Sequence, residues 1–296
     1  MNLEMSPDIV VREWRDRRII AALRFIDATT GGSIRQPLQL QIQLQAPPSR
    51  PPSRFVRNLS GHYVLMEAPG FESYSQTFNL DDLAAPPPIT AINIGINDPS
   101  GQYLSRQFSL PVPRDPAIDP ASATGESSLF QPVRIALYPS TNAPVNPGWA
   151  VLRTTVVNIA TNERLPWAIV VVSAPAILPA DTPIVAQSDW RGEALIGVPG
   201  IPITTWATGS GDGPGSPPVT TTEVEATLEV VFDPVVIPIP EAADFTRLVD
   251  PNPDYSPNPE QLNANRSGLL VGSVPFTLAS GRDLSHRLAV TLAAVP

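Results

Sequence analysis

Between Leu38 and Gln45 apolar and polar residues alternate without a break: Leu38, Leu40, Ile42 and Leu44 are each followed by a glutamine, Gln39, Gln41, Gln43 and Gln45. A period of two marks a β-strand with one buried face, and the other face is here a stripe of side-chain amides. The same alternation places Ile92, Ile94 and Ile96 against Asn93, Gly95 and Asn97, and Val224, Ala226, Leu228, Val230 and Phe232 against Glu225, Thr227, Glu229 and Val231. Leu288, Val290 and Leu292 repeat it near the C-terminal end. Helical candidates are confined to two short segments, 81–84 and 241–248, too short to organise a core. The pattern predicts an all-β protein.

An internal repeat organises these strands. Phe25-Ile26-Asp27-Ala28-Thr29-Thr30, with Ile34 and Pro37 after it, aligns at an offset of 131 with Val156-Val157-Asn158-Ile159-Ala160-Thr161, followed by Leu165 and Pro166. Asn58-Leu59-Ser60-Gly61-His62-Tyr63-Val64-Leu65 aligns at the same offset with Asp189-Trp190-Arg191-Gly192-Glu193-Ala194-Leu195-Ile196, and Pro69-Gly70 then aligns with Pro199-Gly200. Asn or Asp in the first place and Gly in the fourth suit a tight turn: the side-chain oxygen accepts from the backbone, and Gly tolerates left-handed geometry. Each copy should therefore carry a hairpin there, and two copies of one sandwich explain the repeat.

A strand ending in Asp27-Ala28-Thr29-Thr30-Gly31, a second strand after Pro37, an Asn58-x-x-Gly61-x-Tyr63 hairpin and then Ala68-Pro69-Gly70-Phe71-Glu72 resemble the carboxypeptidase regulatory-like domain, a transthyretin-like β-sandwich. The resemblance covers 18–80 and 151–202. It implies an antiparallel sandwich of about seven strands, used as a spacer, docking or assembly module without catalysis of its own. The long additions after each copy depart from that family. So does the C-terminal end, Ala293-Ala294-Val295-Pro296, where transthyretin-like hydroxyisourate hydrolases carry Tyr-Arg-Gly-Ser.

Length and composition set the boundaries. A chain of 296 residues has room for two domains. Residues 111–128 are rich in Pro, Ala, Ser and Asp without periodicity, which reads as an extended linker. The expected organisation is a first sandwich over 1–112, a linker over 113–128, and a second sandwich over 129–296 with Pro/Gly-rich insertions at 209–218 and 234–259. Charged residues make up only 16%, and the formal net charge is −9 from 19 basic and 28 acidic residues. Scattered acidity argues against a nucleic-acid binder. Every basic residue is Arg, so Schiff-base and P-loop lysine chemistry is excluded. Cys is absent, which removes disulfides and thiolate zinc sites. The first residues have neither the basic nor the apolar region of a secretion signal, and Pro interrupts the apolar runs. Synthesis in the cytoplasm without a membrane span is expected, with release by lysis as part of a particle.

Candidate chemistry is sparse. The two histidines, His62 and His286, fall in different expected domains, and no nucleophile elbow or zinc helix motif occurs. Asp250-Pro251-Asn252-Pro253-Asp254 spaces oxygen ligands like a calcium loop, but Tyr255 and Gln261 occupy its two diagnostic positions. Trp149, Trp167, Trp190 and Trp206 all belong to the second half. Trp167 precedes the apolar run 168–172 and reads as core, whereas Trp190 lies inside a turn and reads as an interface anchor. No catalytic residue, metal or cofactor is expected. The function expected is that of a non-enzymatic structural or adaptor protein in a multi-protein assembly, by analogy a phage-tail-like contractile injection particle, with other subunits or itself as partners through Gln39, Gln41, Gln43, Gln45, Trp190, Phe245 and Tyr255. The alternative is a carbohydrate- or surface-binding sandwich that reads glycans through the Trp-rich half.

Overall fold

A computed structural model describes residues 18–43, 54–76, 87–116, 123–179, 183–201, 203–205, 219–221, 223–234 and 257–294. It is an all-β protein. The strands are β1 (Ala21–Asp27), β2 (Gln39–Gln43), β3 (Arg54–Arg57), β4 (Tyr63–Glu67), β5 (Thr90–Asn97), β6 (Arg106–Val112), β7 (Val133–Leu137), β8 (Ala150–Asn158), β9 (Ile169–Ser173), β10 (Ile184–Gln187), β11 (Glu193–Val198), β12 (Ile203–Thr205), β13 (Val219–Thr221), β14 (Glu223–Phe232), β15 (Leu270–Ala279), β16 (Asp283–Val290) and β17 (Ala293–Ala294). Two short helices accompany them, α1 (Glu72–Gln76) and α2 (Pro259–Ala264). Neither coincides with the helical candidates at 81–84 and 241–248, which lie outside the described residues.

The sheets have the orders β3-β4-β1-β7, β2-β5-β6, β11-β8-β16, β10-β9-β14-β15-β17 and β12-β13. The chain divides into two compact units. One comprises 1–24, 42–93 and 109–134, and the other 25–41, 94–108 and 135–296. In the first, β1 pairs antiparallel with β4, and β4 with β3. The stretch read as a linker is closed there by its own backbone: Arg114 N donates to Ile20 O at 3.0 Å, and Leu129 N to Asp115 O at 2.7 Å.

The main core of the second unit lies between two sheets. Leu152, Val156, Ile196 and Leu288 from β11-β8-β16 pack with Val170, Val172, Leu228 and Val230 from β9 and β14. Ile169 to Val172 are buried on both faces of β9, as a continuous apolar run requires. α2 supplies the outer cover: it packs on β9 and β14 and buries Leu262. One pairing departs from the antiparallel expectation. β16 lies parallel to β8, from Asp283 opposite Val151 to Val290 opposite Asn158. The turn at Ser280 and Gly281 carries the chain out of the sheet of β15 and into that of β8, so β16 arrives in the direction of β8.

Repeat and register coincide. β1 meets β4 with Ala21 opposite Leu65 and Leu23 opposite Tyr63, and β8 meets β11 with Leu152 opposite Ile196 and Thr154 opposite Ala194. Every partner is displaced by the same 131 positions. The turns match in their bonds: Gly61 N donates to Asn58 O and His62 N to Asn58 Oδ1, as Gly192 N donates to Asp189 O and Glu193 N to Asp189 Oδ1. The expected hairpin forms in the first copy, where β3 pairs with β4, but not in the second, where the same turn carries the chain from β10 in one sheet to β11 in another. Gly61 has φ +83° and Gly192 φ +77°. The turn at the end of β1 repeats as well. Asp27 Oδ1 accepts from Thr29 N, Asn158 Oδ1 accepts from Ala160 N, and the left-handed place is filled by Gly31 in one copy and Asn162 in the other.

A buried guanidinium ties α2 to the second unit. Asn258 caps the helix by accepting from Glu260 N and Gln261 N, and Pro259 opens it. Arg106, 3% exposed, donates to Ala136 O, to both carboxylate oxygens of Glu260 and to Asn258 Oδ1. The last residues of the expected insertion 234–259 are thus part of a capped and clamped helix. Glu260 is 51% exposed, so water shares in the pair. Glu260→Gln should lower the unfolding free energy in chemical denaturation by about 1–3 kcal/mol, less than the ~3–5 kcal/mol of a pair enclosed on both sides.

The two turn glycines give a second test. Alanine at Gly61 meets only the left-handed strain, about 1 kcal/mol, because its Cβ would have Arg57 Nη2 no nearer than 3.7 Å. At Gly192 a Cβ would also stand 3.1 Å from Leu165 N and from Arg164 Cβ, adding roughly 1–3 kcal/mol. Denaturation curves should rank Gly192→Ala well below Gly61→Ala.

Candidate functional site

The expected partner residues are not gathered into one place. Gln39 and Gln41 are exposed on β2, the outermost strand of β2-β5-β6, with Gln39 Oε1 3.5 Å from Asn97 Nδ2. The Gln43 side chain, Gln45, Phe245 and Tyr255 lie outside the described residues, as do Trp206 and the calcium-like run 250–254.

Trp190 is corrected. It is 6% exposed and belongs to the core of the second unit, so it is not presented as an anchor. The reason is the docking of its turn on the segment before β9. Ser188 Oγ donates to Leu165 O and accepts from Ala168 N, both at 2.8 Å, and Trp167 N donates to Asp189 O. Asp189 and Arg191 close a buried pair beside it, with Arg191 Nε 3.0 Å from Asp189 Oδ2, and the guanidinium sits 6.0 Å from the Trp190 ring. In the first copy the equivalent residue, Leu59, is fully exposed. One turn geometry thus serves two environments.

Among the described indoles Trp149 is the half-buried one. It borders a cavity of about 70 Å³ with Asp27, Thr30, Gln102, Tyr103 and Gly197. Gly197 is required by the close approach of the ring, since a Cβ there would fall 2.9 Å from Trp149 Cε3. The volume corresponds to about two waters at ~30 Å³ each, far short of the roughly 300 Å³ at which ligand pockets begin. Its carboxylate is also fully engaged: Asp27 Oδ1 accepts from Thr29 N and Thr30 N, and Oδ2 accepts from the Tyr103 hydroxyl at 2.8 Å.

A larger groove, about 540 Å³, opens along β8 and β16 and is lined by Thr155, Val157, Asn162, Arg164, His286 and Arg287, with Ser285. No carboxylate lines it. Arg287 donates to Asn162 Oδ1, and Arg164 reaches Arg191 O and, at 3.6 Å, Glu193. Ser285 and His286 are consecutive on one strand, so their side chains leave on opposite faces. Sequence reading missed this groove because its two halves are more than a hundred positions apart and share no motif. The signal available in advance was the pair His286-Arg287 within an alternating strand. Among the described residues no three His, Asp or Glu side chains converge as metal ligands, and no helix is long and apolar enough to cross a membrane.

No protein-family model matches the chain, and no curated protein does. Among solved structures it is similar to three crystal structures of point mutants of the shaft pilin SpaA from Lactobacillus rhamnosus GG, at 9%, 9% and 11% identity and a TM-score of 0.23 in each. The likeness takes in 70% of this chain; it spans 64% of the pilin chain in the first two and 71% in the third.

Two phenols hold their protons unusually well. Burial raises Tyr103 above its ordinary value, and the hydrogen bond to Asp27 and the charges of Asp27 and Asp98 add to it. Burial likewise raises Tyr138, helped by the charge of Glu260 and opposed by Arg106. The fold favours the neutral phenol, so this stability is fully present below the unfolded value near 10 and is lost as pH rises through the higher folded value. Ultraviolet titration should show Tyr103 and Tyr138 ionising above the ordinary range of a tyrosine. Asp27→Asn should advance Tyr103 and leave Tyr138 in place.

Proposed function

We propose that the chain is a non-catalytic structural or adaptor subunit of a larger protein assembly, its repeated hairpin elements being of the carboxypeptidase regulatory-like, transthyretin-like type. The observation that carries this reading is β2, an outermost strand whose exposed side chains are the amides of Gln39 and Gln41. An outer strand offers a row of backbone donors and acceptors to another chain, and the usual guard against that pairing is lysine. This chain has none. Amides can hydrogen-bond a neighbour at less desolvation cost than charges. The setting we favour, by analogy of architecture, is a phage-tail-like contractile injection particle, with the chain as cap, baseplate or decoration. A carbohydrate-binding role would draw on Trp149, since Trp167 and Trp190 are core residues.

Purification from the native source should recover the chain in a particle of fixed stoichiometry. Gln39→Glu with Gln41→Glu should release it from that particle while changing its unfolding free energy by no more than about 0.5 kcal/mol. Contacts are best mapped with carboxylate-directed cross-linkers, because amine-directed reagents have no lysine to attack. Recovery only as a free monomer would defeat the proposal.

A further inference from the structure

The groove along β8 and β16 is cationic in an otherwise acidic protein. Its positive charge rests on Arg287: Arg164 is 3.6 Å from Glu193, and His286 shares the inward side of β16 with Leu288 and Val290 and stands 6.1 Å from the Phe276 ring, while the whole chain carries a net charge of −9. Arg287 is exposed, and its described contact is the neutral Asn162 Oδ1. A guanidinium has five donors in a planar fork that matches a carboxylate, so most of the binding capacity of Arg287 is unspent.

The strand that carries Arg287 is also an open edge. β16 ends the order β11-β8-β16, and among the described residues no strand pairs with its far side. Val151 N donates to Arg282 O and Ile159 N to Val290 O. The even-numbered residues of β16 therefore turn their backbone groups to β8, and Ser285, Arg287 and Ala289 turn theirs to the open side. Neither Pro nor Lys guards that edge.

We propose that β16 is a docking edge for an acidic, extended polypeptide segment of a partner protein. The segment adds as a further strand, exchanging backbone hydrogen bonds with Ser285, Arg287 and Ala289. Alternate side chains of an added strand fall on one face, about 6.5–7 Å apart. Carboxylates at alternate positions thus stand beside the outward face of β16, where Arg287 receives them. An acidic polysaccharide or free phosphate would satisfy the guanidinium groups alone. The eight-residue edge is what favours a polypeptide, because only a backbone of amides can complete its ladder. The inference deepens the assembly reading by naming the chemistry of one partner, and it concerns an edge other than β2.

The test uses the full chain and a capped eight-residue peptide alternating Glu and Thr, with a Gln-for-Glu version as control. The Glu peptide should bind, weaken steeply with added salt, and slow hydrogen exchange at Ser285, Arg287 and Ala289. Arg287→Ala should weaken it about tenfold, the scale of one charge-assisted contact. Arg287→Lys should recover only part of the loss, because a point charge cannot replace the fork. Equal binding of the Gln peptide, protection confined to other strands, or tight binding of polygalacturonate or inorganic phosphate with no binding of the Glu peptide would each overturn the proposal. The salt and Gln-peptide arms require no variant. Failure here alongside an intact native particle would remove the β16 inference alone; loss of the particle would remove the assembly reading.

Discussion

The strand that follows each repeated turn is set in place by one side-chain oxygen at the start of that turn. Asn58 Oδ1 takes the N–H of His62 and Asp189 Oδ1 takes that of Glu193, which fixes where the returning strand begins. A slip of one residue would send every apolar side chain of β4 or β11 to the wrong face. With the turn held, Leu65 and Ile196 fall inward opposite Ala21 and Leu152. The second copy then builds on that register, because Ser188 and Asp189 lock its turn to the backbone on either side of Trp167 and close one end of the core.

Much of this was legible from local pattern. Alternation at 38–45, 92–97, 224–232 and 288–292 marks segments of β2, β5, β14 and β16, and the Asx-Gly spacing marks both turns, though not that the second joins strands of different sheets. What escaped is what depends on distant packing. α1 and α2 are single turns, too short to show a 3.6-residue period, and α2 is held by Arg106 from more than 150 positions away. Alternation shows that Leu288 and Val290 face inward but not which strand they lie beside, so the parallel partnership with β8 was invisible. The burial of Trp190 had no local sign either, since Leu59 occupies the same place in the same turn and is exposed. The cationic groove is assembled by that parallel pairing and could not be read before it.

Arginine as the sole basic side chain shapes both the interior and the surface. Inside, Arg106 satisfies a carbonyl, a carboxylate and a helix cap at once, and Arg191 meets Asp189 through two nitrogens. An ammonium group, compact and more strongly hydrated, would be a poor substitute in either place. On the surface the two outer strands differ in the side chains they expose, neutral amides on β2 and a guanidinium group on β16.

The parallel alignment of β16 with β8 also dictates an order of events as the chain is made. The residues of β8 leave the ribosome some 130 positions before their partners at 283–290, whereas β11, on the other flank of β8, follows within about forty. At typical elongation rates of ~5–20 residues per second that interval lasts many seconds, long against the microseconds in which a hairpin forms. The antiparallel pair of β8 and β11 can therefore exist first as an incomplete sheet with the future place of β16 vacant. During that interval the edge of β8 that later receives β16 has backbone donors and acceptors without their final partners, and an unpaired edge of this kind is a template for pairing with other chains until its own late strand arrives.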